Sequence, residues 1–260
     1  MFDTHCHLTF KHFAGRVDQV LADAKAEGVN GVITVATSSH NSLLSLDLAK
    51  QYDSVFCSAG AHPLYADEPC DFSIIEQVAK HPKCVAWGEL GLDNHYDKPT
   101  RKLQDKLLED QLAFIEGQLK VGITKPIIVH CRQATDELLA IFKSAPFDPS
   151  RYVFHCFSES LDDARKILDF GAWISFTGIV TFKNAPEVAE AAKLVPVDRI
   201  MVETDSPYLT PEPHRKIFPN EPKYVVHTAR HIANLRSVTP KDFEQTLDAN
   251  AERFFGLKTN

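Results

Sequence analysis

Residues 126–132 read Pro126-Ile127-Ile128-Val129-His130-Cys131-Arg132, an apolar run that ends in an imidazole, a thiol and a guanidinium. A short run that is apolar throughout is typical of a parallel strand that is buried on both of its faces. Similar apolar runs precede His155 and Glu203 further along the chain. This repeated order predicts a parallel sheet whose strands carry reactive side chains at their carboxyl ends.

Eight such runs, rich in Val, Ile, Phe or Ala, occur along the 260 residues, and we predict a strand at each. The predicted strands are Met1–His5, Gly31–Ala36, Val55–Ala59, Cys84–Glu89, Pro126–His130, Tyr152–His155, Trp173–Phe176 and Ile200–Glu203.

The stretches between the strands have the apolar spacing of amphipathic helices. The clearest are Val17–Ala24, Arg101–Lys120 and Leu161–Leu168, and Gly28 and Gly171 are expected to end the first and the third. Eight strands that alternate with helices predict an α/β fold, the (β/α)8 TIM barrel, whose usual size is ~250 residues. A doubly wound open sheet is the alternative, and a single domain is expected over residues 1–260.

Composition and charge exclude several classes of protein. Hydrophobic residues make up 44% of the chain and charged residues 24%, which is typical of a globular protein and not of a disordered one. No apolar run approaches the ~20 residues that span a bilayer, so no membrane association is expected. The formal net charge of −7 argues against broad electrostatic binding to nucleic acid or anionic lipid, but not against a local basic patch.

The chain start and the cysteines predict the compartment. The first residues, Met1-Phe2-Asp3-Thr4-His5, lack the basic start and long apolar stretch of a signal peptide. None of the six cysteines forms a C-x-x-C pair, which favours free thiols in a reducing compartment. We therefore predict a cytoplasmic protein. The sequence does not determine the oligomeric state, and a monomer is compatible with it.

Titratable side chains lie at the carboxyl ends of at least six predicted strands. In a barrel these ends converge on one mouth, where active sites lie. His5 and His7 stand two apart on an extended segment, so both imidazoles point to one side and can hold one metal ion. Any one of these residues alone is ordinary, but clustered carboxylates repel each other unless a cation neutralises them. The residues that we expect to meet at this mouth are His5, His7, Glu89, His130, His155 and Asp205.

Four imidazoles and two carboxylates are more ligands than one tetrahedral ion needs. They suit two divalent ions that share a bridging carboxylate. The nitrogen-rich set favours zinc or manganese, although magnesium remains open because it binds carboxylates.

Five motifs together resemble the TatD family of metal-dependent deoxyribonucleases. They occur in order along nearly the whole chain: Asp3-Thr4-His5-Cys6-His7-Leu8, Gly88-Glu89-Leu90-Gly91-Leu92-Asp93, His130-Cys131-Arg132, His155-Cys156-Phe157-Ser158 and Glu203-Thr204-Asp205-Ser206-Pro207-Tyr208-Leu209. The resemblance implies a TIM barrel of the amidohydrolase superfamily with a two-metal site. It also implies phosphodiester hydrolysis, often as a 3′–5′ exonuclease on single-stranded DNA.

The same resemblance implies roles for individual residues. Glu89 would be the bridging ligand, and Glu203, His62 and Asp93 would support the ligands. The full implied ligand set is His5, His7, Glu89, His130, His155 and Asp205. One departure is the segment from Pro213 to Pro222, where Lys216-Ile217-Phe218-Pro219 replaces the usual glycine-containing sequence, so the shape of this loop is not implied.

The expected reaction is two-metal hydrolysis of DNA or of a small phosphodiester. Asp205, with Glu203 beside it, is the predicted catalytic acid–base group. His62, Arg132 and Arg215 are the predicted substrate-binding residues, although each arginine would fit an ordinary ion pair equally well. Aromatic residues on predicted mouth loops would either stack on bases or pack within their loops: Tyr96, Phe157, Phe182, Tyr208 and Phe218.

Two alternatives remain open. The same metal site could hydrolyse another ester or an amide, such as an aminoacyl-tRNA, because fold does not fix function. The chain could also be a binding protein that has lost catalysis, although every expected ligand is present.

Overall fold

The computed structural model describes residues 1–257 and contains one sheet of eight parallel strands in chain order. This arrangement confirms the predicted (β/α)8 barrel, which is nearly closed. The strands are β1 (Phe2–Cys6), β2 (Gly31–Thr34), β3 (Val55–Ala59), β4 (Cys84–Asp93), β5 (Ile127–Arg132), β6 (Tyr152–Phe154), β7 (Trp173–Phe176) and β8 (Ile200–Val202).

Helices surround the strands. They are α1 (Val17–Ala26), α2 (Ser39–Gln51), α3 (Phe72–Ala79), α4 (Arg101–Lys120), α5 (Thr135–Ser144), α6 (Leu161–Phe170), α7 (Pro186–Leu194), α8 (Val225–Leu235) and α9 (Pro240–Phe255). The three helices predicted from apolar spacing are therefore confirmed as α1, α4 and α6. Gly171 ends α6 at a φ of +100°, which a residue without a Cβ adopts readily.

Strand β4 is longer than predicted, because it continues past Glu89 to Asp93. Its last residues pair with β5, and Gly91 lies opposite His130. A Cβ on Gly91 would lie 1.9 Å from the carbonyl oxygen of His130, and the φ of Gly91 is +151°. Only glycine fits here, and the close approach holds Glu89 and His130 at neighbouring strand ends.

The barrel closes where β8 meets β1. Beyond β8, Ser206 forms a single parallel bridge with Cys6. The buried carboxylate of Asp3 accepts hydrogen bonds from the backbone N–H of Thr204 at 2.9 Å and from its hydroxyl at 2.6 Å. The backbone N–H of Asp205 donates to the carbonyl oxygen of His5 at 2.9 Å. These contacts hold the ends of the first and last strands side by side.

Two further features bear on the predicted environment. Within residues 1–257, none of the helices combines the length and apolar character needed to cross a membrane. All six cysteines, at positions 6, 57, 70, 84, 131 and 156, are free thiols.

Candidate metal centre

Three groups of side chains at the barrel mouth could each hold a metal ion. In each group the potential ligand atoms all lie within 4.8 Å of one another. The groups are His5 with His7 and Asp205, His5 with His155 and Glu203, and His62 with Glu89 and His130. Residues that are far apart in the chain meet here because the carboxyl ends of the strands converge.

Glu89 lies at the centre of this cluster and is 1% exposed. Its Oε1 is 2.6 Å from Nε2 of His155 and 2.8 Å from Nδ1 of His130. Its Oε2 faces the other way and lies 3.3 Å from Nε2 of His5. Burial by itself would raise the pKa of Glu89, but His155, His62 and His5 hold it well below its usual value. The group is therefore a buried carboxylate anion with imidazoles on both sides.

Asp205 stands at the other side of the cluster, next to the first strand. Its Oδ1 lies 3.3 Å from Nε2 of His7 and 3.8 Å from Nε2 of His5. Burial opposes ionisation, yet the hydrogen bond to His7 and the charge on His5 lower the pKa of Asp205 below its usual value. Its φ of +52° is uncommon for a residue with a side chain and turns the chain out of β8 at this point.

The chemistry of the cluster fits divalent cations. Imidazole nitrogens face each other at 3.3 Å between His5 and His7, and at 3.0 Å between His62 and His130. Oε2 of Glu89 and Nδ1 of His5 are buried without a hydrogen-bond partner. A buried polar atom without a partner costs about 1–3 kcal/mol, and coordination of a cation by Glu89 Oε2 would remove that cost. Nitrogen and carboxylate oxygen together are the donors that zinc and manganese accept.

Carboxylates behind the imidazoles fix their orientation. Glu203 accepts hydrogen bonds from the backbone N–H of Cys156 and from the hydroxyl of Ser175, both at 2.6 Å. Its Oε1 also lies 3.3 Å from Nδ1 of His155. In the same way, Oδ2 of Asp93 lies 3.0 Å from Nε2 of His130. Partners of this kind set the ring orientation and tautomer of histidines that bind metals.

A cavity of about 580 Å³ opens above the cluster. Its wall contains Glu89, Asp205 and the imidazoles of His7, His62, His130 and His155, but not Glu203. Glu203 therefore lies behind His155, out of reach of a molecule in the cavity. Ser175 and Cys156 turn its carboxylate inward, which is the position of a group that supports a ligand.

The two predicted substrate-binding arginines have different positions. Arg132 lines the cavity, and its guanidinium lies 5.2 Å from the ring centroid of Tyr96. Arg215 does not line it. Its guanidinium stacks 3.6 Å above the ring of Phe182 and lies 3.5 Å from Oδ1 of Asn184. Arg132 is the last residue of β5, whereas Arg215 lies well beyond β8, in the long loop that leads away from the cavity.

His62 lies closer to the cluster than the sequence indicated. Its Nε2 is 3.3 Å from Oε1 of Glu89, so it belongs to one of the three potential metal-holding groups. Burial lowers the pKa of His62 to about 4, and the neighbouring His130 and His155 add to this effect against the opposing pull of Glu89. The imidazole is therefore neutral at pH 7.

Of the predicted aromatic residues, Tyr96 and Tyr208 line the cavity, whereas Phe157, Phe182 and Phe218 do not. Sequence reasoning missed Phe10 and Tyr65, which also line it. Each follows a strand-end histidine by three residues, His7 and His62 respectively, and that proximity was the available signal.

The unusual segment after β8 stands away from the cavity. The side-chain amide of Asn220 donates to the carbonyl oxygen of Thr204 at 3.0 Å, which anchors the end of this loop behind Asp205. Between Pro213 and Asn220 the loop bulges outward, and Phe218 is 61% exposed. The departure therefore changes the outer loop surface and not the wall of the cavity.

A family model described as TatD related DNase matches residues 2–256. The chain belongs to the TatD family. Its relatives include an Escherichia coli K12 protein named Uncharacterized metal-dependent hydrolase YcfH, which is 39% identical across 99% of this chain and 96% of that protein. A Klebsiella pneumoniae protein named 3′-5′ ssDNA/RNA exonuclease TatD is 32% identical across 100% of this chain and 99% of that protein.

Solved structures agree with this family membership. The structure of YJJV, a TatD homologue from Escherichia coli K12, superimposes with a TM-score of 0.91 at 28% identity, over 99% of this chain and 98% of that one. This TatD-family chain is thus a metal-dependent hydrolase with a TIM-barrel fold and side-chain clusters that could hold metal ions.

Proposed function

We propose that this TatD-family hydrolase is a deoxyribonuclease that removes nucleotides from the 3′ end of single-stranded DNA. The Klebsiella pneumoniae relative, named as a 3′-5′ exonuclease on single-stranded DNA and RNA, supports this activity. The observation that chiefly carries the proposal is the position of Glu89, whose two oxygens face different imidazoles. A carboxylate so placed suits a bridge between two cations, an arrangement common in enzymes that cleave phosphate esters.

Two divalent ions, of zinc, manganese or magnesium, are part of the proposal. When bound, they would polarise a phosphoryl oxygen and favour ionisation of a water molecule near neutral pH. Glu89 would contact both ions. The complete proposed ligand set is His5, His7, Glu89, His130, His155 and Asp205.

Asp205 is the proposed proton acceptor. Its carboxylate reaches the cavity, and its lowered pKa keeps it ionised at neutral pH. A carboxylate in this state can take the proton from the attacking water and pass it toward the leaving oxygen. We assign Glu203 to the positioning of His155, because it does not reach the cavity.

Arg132 is the proposed phosphate-binding residue. It lines the cavity, and its charge favours ionisation of the nearby carboxyl groups of Asp93 and Glu159. A planar and permanently charged guanidinium at the cavity wall is well suited to hold a phosphodiester. His62 would add a neutral hydrogen-bonding group on the same wall.

The proposed substrate is a single-stranded end and not a long duplex. A net charge of −7 disfavours an extended grip on a polyanion, so contact is expected to be confined to the mouth. We also propose a cytoplasmic location, because free thiols at all six cysteines are typical of a reducing compartment.

The test uses the protein with added zinc, manganese or magnesium and a single-stranded oligonucleotide labelled at its 5′ end. We expect a ladder of products shortened from the 3′ end, and a loss of about a thousandfold in rate for Asp205→Asn. The control is Asp169→Asn, on an exposed position of α6, which should cleave as the parent does. Equal activity of Asp205→Asn would remove Asp205 from the mechanism. Faster hydrolysis of a simple carboxylic ester than of DNA would overturn the nuclease assignment.

A further inference from the structure

Three tyrosines stand around the outer edge of the cavity, and we call them the tyrosine rim. Tyr65 follows β3, Tyr96 follows β4 and Tyr208 follows β8, and all three line the same cavity as Glu89. Tyr96 is 50% exposed and Tyr208 is 45% exposed. Large aromatic rings that stay exposed around a cavity often mark a binding surface.

Each ring of the tyrosine rim is held by a residue that lines the cavity. Tyr208 meets Phe10 edge to face at a centroid distance of 6.5 Å. Phe10 in turn stacks on the imidazole of His7 at 4.7 Å, so a row of rings connects the rim to the cluster. These contacts orient the rim and leave much of the surface of Tyr208 open to a ligand.

The other two rings are held in the same manner. The guanidinium of Arg132 lies 5.2 Å from the centroid of Tyr96, and Tyr65 meets His62 edge to face at 6.3 Å. A phosphate held by Arg132 would therefore have an aromatic ring directly beside it. This pairing of a cation with an aromatic ring matches the alternation of phosphate and base along a nucleic-acid strand.

The three rings line the same opening. Burial raises the pKa of Tyr208, and the charge of Asp205 and the phenols of Tyr65 and Tyr96 raise it further. Tyr208 is therefore within electrostatic range of the other two phenols and of Asp205. None of the three hydroxyls donates a hydrogen bond to another group in the described part of the chain.

We propose that the tyrosine rim stacks on the unpaired bases next to the phosphodiester that is cleaved, and thereby selects base-bearing single-stranded ends. This inference rests on the proposed nuclease function and names the residues that recognise its substrate. Stacking needs an open base face, which a single strand offers and a duplex hides. The rim acts on substrate binding and takes no part in proton transfer.

Phe218 provides a matched control for these tyrosines. It is also an exposed aromatic residue on the segment after β8, but it does not line the cavity. Its ring meets His12 edge to face at 5.1 Å. Phe218→Ala therefore removes an exposed ring of similar size from the same loop without changing the rim.

The first experiment compares two oligonucleotides of equal length, one with normal 3′-terminal nucleotides and one with abasic residues there. For the parent enzyme, kcat/KM should be higher on the base-bearing strand. Tyr208→Ala and Tyr96→Ala should each reduce this ratio about tenfold, mainly through KM. Tyr208→Phe, which keeps the ring, and Phe218→Ala should retain the parent ratio. Equal ratios in all variants would overturn the proposal, and so would a loss in Tyr208→Ala that Tyr208→Phe shares.

The second experiment measures binding without cleavage. A strand with 2-aminopurine at its 3′ end is titrated with protein in the presence of a chelator, and stacking is read as fluorescence quenching. Quenching by the parent that is lost in Tyr208→Ala would support base stacking by the tyrosine rim. If the same protein cleaved no strand with any added metal ion, only the nuclease function would be overturned. Cleavage without quenching would overturn the rim and leave the nuclease function in place. Absence of both would overturn both.

Discussion

A single buried carboxylate organises the candidate site. Glu89 balances imidazoles on two sides, and its ionised state depends on their proximity. Replacing it by an amide of the same shape removes the charge and leaves the surrounding rings in place. The substitution should therefore weaken the binding of metal ions more than it lowers the stability of the fold.

Glu89→Gln is therefore expected to lose at least one bound ion per chain and to cleave single-stranded DNA at least a hundredfold more slowly. Elemental analysis after gel filtration measures the ion content. The control is Glu116→Gln on α4. This substitution removes the surface ion pair between Glu116 and Lys120, and the variant should bind as many metal ions as the parent. Full ion occupancy in Glu89→Gln would contradict the bridging role.

At the level of elements, the pairing of β4 with β5 determines the positions of two proposed ligands, Glu89 and His130. The sequence pattern predicts that β4 ends at Glu89, because the residues that follow mix glycine, leucine and aspartate. The strand continues because Gly91 permits a backbone approach that no other residue allows. Sequence patterns do not show such a steric requirement, since it depends on the neighbouring strand.

Gly91→Ala should lower the free energy of unfolding by about 3 kcal/mol, because the new methyl group would collide with the carbonyl group of His130. Chemical denaturation measures this change. Gly117→Ala, on an exposed face of α4 with no atom near the new methyl group, should instead raise stability by about 0.5–1 kcal/mol. Equal effects of the two substitutions would mean that β4 and β5 are not in close contact at Gly91.

The strand-end residues of the site could be predicted from the sequence, but the loop residues could not. The barrel and the strand-end histidines were accessible, because buried parallel strands are apolar throughout and their carboxyl ends meet at one mouth. Loops have no such periodicity. Arg215 and Phe182 were for this reason predicted at the mouth but stack on each other outside it, whereas Tyr65 was missed inside it.

At the level of the whole molecule, His5, His7 and Asp205 of the cluster lie where the barrel closes. Asp3 and Thr204 join β1 to the segment after β8, within two residues of His5 and Asp205. Ions bound by both sides of this junction would hold the first and last strands together. Metal binding and the stability of the whole barrel should therefore be coupled, since a ligand that binds only the folded state stabilises it.

Removal of metal ions with a chelator should lower the melting temperature by several degrees. At an ion concentration of a hundred times Kd, binding is worth about 2.7 kcal/mol. Differential scanning calorimetry with and without the ion measures the effect, and Asp205→Asn should show a smaller difference than Asp169→Asn. An identical melting temperature with and without ions would contradict the coupling.

The central claim is that the barrel mouth holds two divalent ions on either side of Glu89. Anomalous diffraction from a crystal grown with manganese or zinc tests it most directly. We predict two anomalous peaks about 3.5–4 Å apart, one beside His5, His7 and Asp205 and one beside His130 and His155. A single peak remote from Glu89, or a mouth without anomalous density at saturating ion, would contradict the claim.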